Sequence, residues 1–161
     1  MHRRCGFYLA SDPGTASRRL DGSLQDKWLP IRRKAGWKLH TLAEEIQRQG
    51  IYATVHNYAE WQTLADRAAV AYRARREGPI IIIGHSLGAD AVMEMSAYLG
   101  RRGVPVALAV PFDAKQSYAT PSNVGRLLNL THAGYGYMSR GVGFQGSLSN
   151  VDVSRTPAST T

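Results

Sequence analysis

The 161-residue sequence contains a single cysteine, Cys5, which excludes an internal disulfide framework and any thiolate-only metal cage. Long apolar runs are lacking too. Ile80–Ile83 is a short one, against the roughly 18 residues needed to span a bilayer, so no membrane span is expected. The opening Met1–Ala10 has arginines and a brief apolar stretch but no signal-peptide core or clear cleavage site, so the expected location is cytoplasmic. Acidic residues are scarce, 12 against 20 lysines and arginines, for a net charge of +8. The excess lies in residues 1–38, where nine basic side chains face Asp12, Asp21 and Asp26. No helix-turn-helix spacing, zinc signature or aromatic stacking pattern accompanies it, so it reads as a solvated basic segment and not as a nucleic-acid interface. His, Asp, Glu and Cys form no group with metal-ligand spacing, and no metal or other cofactor is expected.

What is present is the composition of a globular protein, 43% hydrophobic and 20% charged, in a chain sized for one domain. Residues 1–36 read as an irregular basic segment, relieved by a possible short strand at Cys5–Ala10 and turn chemistry at Ser11–Gly14. The domain proper is read as 37–153, with 154–161 as a polar tail.

Within the domain, Leu39, Leu42, Ala43 and Ile46 recur at helical spacing, with Gly50 as the stop. Ile51–Tyr58 is rich in β-branched and aromatic residues and reads as a strand. Trp61, Leu64, Ala65, Ala68 and Tyr72 mark one face of a second helix, ending in the basic turn 73–76 before Gly78. Ile80–Ile83 then reads as a strand buried on both faces, as in a parallel sheet covered by helices. Leu87–Arg102 is a third helix with Val92, Met95 and Leu99 inward, stopped by Gly103. Val104–Val110 is the next buried strand. This alternation predicts an α/β fold, a mostly parallel sheet flanked by helices. Arg126–Thr131 reads as a further strand, the end of a short helix opened by Thr120 and Pro121 being the other reading. Residues 133–146, with five glycines, read as a long loop.

Gly84-His85-Ser86-Leu87-Gly88 fits the pattern G-x-S-x-G. Composition alone yields the pattern roughly 0.12 times in a chain of this length. Its setting, directly after a buried strand and opening a helix, is the strand–turn–helix context that makes it a nucleophile elbow. A sharp turn there lifts the Ser86 hydroxyl out at the sheet edge and leaves the Leu87 amide at the positive end of a helix, placed to receive an oxyanion. A serine hydroxyl needs a base, itself oriented by an acid. Beyond Ser86 and its own helix, which carries Asp90 and Glu94, the chain offers only Asp113 and Asp152 as acids and only His132 as a base. The order Ser, acid, His therefore admits one triad, Ser86–Asp113–His132. Against it stand plainer readings: Asp113 as a turn former after Pro111, and His132 as an exposed loop histidine. His85, His40 and His56 read as structural.

On these residues, and above all on Pro79–Ala114, the chain resembles the α/β-hydrolase superfamily, in particular small thioesterase- or lipase-like members. The resemblance runs from Trp37 to about Val153. It implies a serine hydrolase (an esterase or thioesterase) acting on a small-molecule ester or thioester, with Ser86 as nucleophile and Asp113 as the acid after the strand that follows the elbow helix. Two departures stand out. The family opens with an apolar strand and a loop giving a second oxyanion amide, for which Cys5–Ala10 is the sole candidate source here. The family histidine follows the last strand, and none follows His132. The chain thus reads as an incomplete fold, truncated at both ends. The alternative expectation is a catalytically inactive remnant, acting as a binding scaffold or without function.

Overall fold

A computed structural model describes residues 6–11, 39–48, 52–74 and 79–155. Cys5, the basic stretch 12–38, the expected stops at Gly50 and Gly78 and the tail from 156 lie outside them.

Among the described residues, eight strands and three α-helices follow one another: β1 (Gly6–Ser11), α1 (Leu39–Arg48), β2 (Tyr52–Asn57), α2 (Trp61–Arg73), β3 (Ile80–His85), α3 (Leu87–Arg101), β4 (Val106–Phe112), β5 (Tyr118–Thr120), β6 (Val124–Thr131), β7 (Met138–Arg140) and β8 (Ser147–Asp152). Six strands form one sheet in the order β2-β1-β3-β4-β6-β8. The run β3-β4-β6-β8 is parallel, whereas β1 is antiparallel to both β2 and β3. The α/β class and the mostly parallel sheet are as the sequence predicts.

The four isoleucines of β3 explain why. Side chains alternate across a strand, so Ile80 and Ile82 join the core under α2 and α3, while Ile81 and Ile83 join the core under α1. Each buried aliphatic chain of this size contributes about 1.5–3 kcal/mol. On one side Val92, Met95 and Leu99 of α3 are completely buried with Leu64, Ala65 and Ala68 of α2. On the other, Leu42, Ala43 and Ile46 of α1 meet Leu108, Val110, Leu128 and Leu130. Tyr72, expected on the inner face of α2, is instead 37% exposed.

Three other boundaries differ from the sequence reading. The fourth strand runs from Val106 to Phe112 and not from Val104 to Val110. Val104 donates its amide to the Leu99 carbonyl to close α3, and Pro105 has no amide, so the ladder starts at Val106. The segment 133–146 is not all loop, because Met138–Arg140 pairs in parallel with Tyr118–Thr120 as a second, two-stranded sheet. Beyond it, Ser147–Asp152 extends the main sheet against β6. From β4 onward the chain thus alternates between the large sheet and the small one, returning each time to a parallel strand.

Candidate active site

The C-terminal ends of β3, β4 and β6 lie side by side, and each is followed directly by a residue singled out above. His85 is in register with Phe112, and Phe112 with Leu130. The chain leaves these strands at Ser86, Asp113 and His132 respectively.

Ser86 sits between β3 and α3 with φ 59° and ψ −120°, a conformation L-residues rarely adopt. Such strain costs about 1–3 kcal/mol and persists only where surrounding structure enforces it. Here the Ser86 amide donates to the Phe112 carbonyl at 2.9 Å, and the Ser86 carbonyl accepts from Ala89 at 2.9 Å and Asp90 at 3.3 Å. The glycines of the motif let the strand and helix close on each other: a Cβ on Gly84 would lie 2.1 Å from the Gly88 carbonyl oxygen. Leu87 opens α3, where the first backbone amides have no intrahelical acceptor and carry the positive end of the helix dipole. Its side chain is 42% exposed beside the serine.

Asp113 and His132 are brought together directly. The Asp113 carboxylate lies 2.8 Å (Oδ2) and 3.0 Å (Oδ1) from His132 Nδ1, and Oδ1 also accepts from the His132 backbone amide at 2.8 Å. A carboxylate oxygen accepts, so the ring form with a proton on Nδ1 is the one that fits these contacts. Asp113 is itself in the left-handed region, φ 51°, and its amide donates to the Leu130 carbonyl at 2.9 Å. It is 7% exposed, whereas the histidine is only partly covered. The His132 ring stands edge-on to Phe112, with centroids 5.7 Å apart, and the His85 ring packs against the same phenyl at 5.3 Å. Phe112 is therefore the shared neighbour: its backbone holds Ser86 and its ring packs against His132.

The remaining histidine and acid positions behave differently. His56 shares a 2.7 Å hydrogen bond with Thr54 on β2, and burial pushes its pKa below the usual value. Asp152 ends β8 and accepts from the Ser154 amide at 2.9 Å. Asp90, set aside above as part of the elbow's own helix, is hydrogen-bonded to the segment following Asp113. Its spacing four residues after the serine gave no hint of that partner.

Of the stretch Cys5–Ala10, named above as the candidate source of a second oxyanion amide, residues 6–10 fall in β1 and Cys5 lies outside the described residues. β1 enters at the Ser86 edge, with Phe7 opposite Gly84, and leaves at the far edge, with Ser11 opposite Ile80.

Among the described residues no group of three or more His, Cys, Asp and Glu can hold a metal ion. No helix among them is long and apolar enough to cross a membrane. No family model, no curated protein and no solved structure matches the chain.

Proposed function

We propose that the protein is a serine hydrolase of carboxylic esters or thioesters, built on an α/β-hydrolase-like sheet. The observation that carries this reading is the Asp113–His132 pair, joined through Nδ1 at 2.8 Å, at the sheet edge where Ser86 adopts its strained turn. Parallel strands are about 4.8 Å apart, which sets β3 and β6 roughly 10 Å apart. Ser86 and His132 follow the ends of those two strands, on either side of β4.

In this mechanism Ser86 Oγ attacks the acyl carbon and His132 Nε2 takes the hydroxyl proton. Asp113 holds the imidazole in the required tautomer and stabilises the imidazolium that forms. The Leu87 amide donates to the developing oxyanion, an interaction whose loss typically costs 10²–10³-fold in turnover. The imidazolium then protonates the departing alcohol or thiol. Water, deprotonated by the same nitrogen, releases the acid and restores Ser86.

The test is hydrolysis of a short p-nitrophenyl ester and an acyl thioester by wild type and Ser86→Ala. Wild-type turnover that vanishes in the variant supports the reading. Equal rates in the two proteins overturn it.

A further inference from the structure

Asp90 lies in the first turn of α3 and is 8% exposed. An acid at the third helical position caps a helix by turning back to the amide of the N-cap residue, here Ser86, and Asp90 stands one position beyond that place. That amide, Ser86 N–H, is already given to Phe112. The Asp90 carboxylate instead crosses to the segment that follows Asp113: Oδ2 accepts from the Lys115 amide at 3.1 Å, and Oδ1 from the Gln116 amide at 3.1 Å and the Tyr118 hydroxyl at 3.0 Å. Three donors from one short segment converge on one nearly buried carboxylate, and hydrogen bonds to a charged acceptor are the strong kind.

The same segment is held from its other side. Gly136, in the loop after His132, donates to the Ala114 carbonyl at 2.8 Å and packs so closely that a Cβ there would meet the Gln116 carbonyl oxygen at 2.0 Å. Residues 114–116 are thus clamped between the nucleophile helix and the histidine loop. Asp113, one residue upstream, holds a left-handed backbone that relaxes readily unless its surroundings fix it.

We propose that Asp90 is a positioning residue for this site, its carboxylate tying the Asp113 segment to the nucleophile helix so that the acid stays aimed at His132. The inference rests on the hydrolase reading. Burial, together with the hydrogen bond to Asp90, raises the Tyr118 pKa, in keeping with a phenol that stays protonated and donates to that carboxylate. Asparagine at position 90 retains an acceptor for Gln116 and Tyr118 but turns its NH₂ toward the Lys115 amide, donor against donor.

The experiment compares Asp90→Asn, Tyr118→Phe and, as a control, Glu94→Gln, which removes the same charge from an exposed position on the same helix. Two readouts are taken: the downfield proton resonance of His132 Nδ1–H, and kcat and KM for a p-nitrophenyl ester. Asp90→Asn is expected to shift or broaden the resonance and lower kcat about 10–100-fold with KM within about twofold, because the defect is one of aim and not of binding. Tyr118→Phe, which keeps both backbone bonds and the fold, is expected to lose about 2–5-fold in kcat, and Glu94→Gln nothing. The proposal is overturned if Asp90→Asn and Tyr118→Phe leave both readouts as in wild type, or if Glu94→Gln reproduces the loss. An inactive wild type whose His132 resonance still moves in Asp90→Asn overturns the hydrolase reading and leaves the positioning role standing. Active proteins with an unmoved resonance and an unchanged kcat do the reverse.

Discussion

Asp113 grips His132 twice, through the ring nitrogen at 2.8 Å and through the backbone amide at 2.8 Å. The second bond fixes the backbone from which the imidazole projects, so the carboxylate orients the ring and its base together. Asp113→Asn keeps the size but presents an amide that can donate to Nδ1 and favour the wrong tautomer. The expected result is a loss of about 10³–10⁴-fold in kcat for a p-nitrophenyl ester, with the circular dichroism spectrum unchanged.

Gly84→Ala tests the elbow's geometry. The new methyl group would lie 2.1 Å from the Gly88 carbonyl oxygen, 2.5 Å from its carbonyl carbon and 2.9 Å from Val92 Cγ2. Two of these neighbours are backbone and cannot rotate away. Urea denaturation is expected to show a loss of about 2–4 kcal/mol, the range of severe overpacking at a strained site.

Asn150 joins the two sheets. Its amide donates to the Met138 carbonyl at 2.8 Å, and its oxygen accepts from the Met138 amide at 3.0 Å and from Asn129 Nδ2 at 2.8 Å. Asn150→Ala leaves these partners unmatched next to Met138, which is 2% exposed. A destabilisation of about 2–4 kcal/mol is expected by urea denaturation, since each orphaned buried group costs about 1–3 kcal/mol.

His56 makes stability depend on pH. Burial lowers its pKa in the folded state below 6.5, outweighing the pull of Glu60. Above pH 6.5 both folded and unfolded states hold the neutral ring and the contribution is complete. As pH falls below 6.5 the unfolded chain takes up the proton first, so stability declines until the lowered folded value is reached. His56→Gln is expected to flatten that part of a plot of unfolding free energy against pH from 7.5 to 5.

Much of the architecture was legible where the chain is apolar on both faces. Ile80–Ile83, the elbow and the inward residues of α3 announce themselves because burial on two sides leaves little freedom in residue type. The strands of the second half were harder. Met138–Arg140 is only three residues long, and Ser147–Asp152 (SLSNVD) is a half-exposed edge strand whose polar residues bind neighbouring backbone, so neither shows an apolar period. The direction of β1 is set by its pairing with β2 and β3, which no local pattern encodes. Ser86 could be picked out from its motif, and Asp113 and His132 from the order of acid and base after it, but the bond between the last two depends on the register of β4 with β6. Asp90 escaped for a similar reason: its partners lie about 25 residues away, at Lys115 and Gln116.

The most direct test is covalent. Wild type and His132→Ala are treated with a fluorophosphonate, and the modified peptide is located by mass spectrometry. A single adduct on Ser86, formed at least about 10²-fold more slowly when His132 is replaced, is the result expected of a base-activated serine. A folded wild type that forms no adduct at Ser86, or one that labels at the same rate without His132, contradicts it.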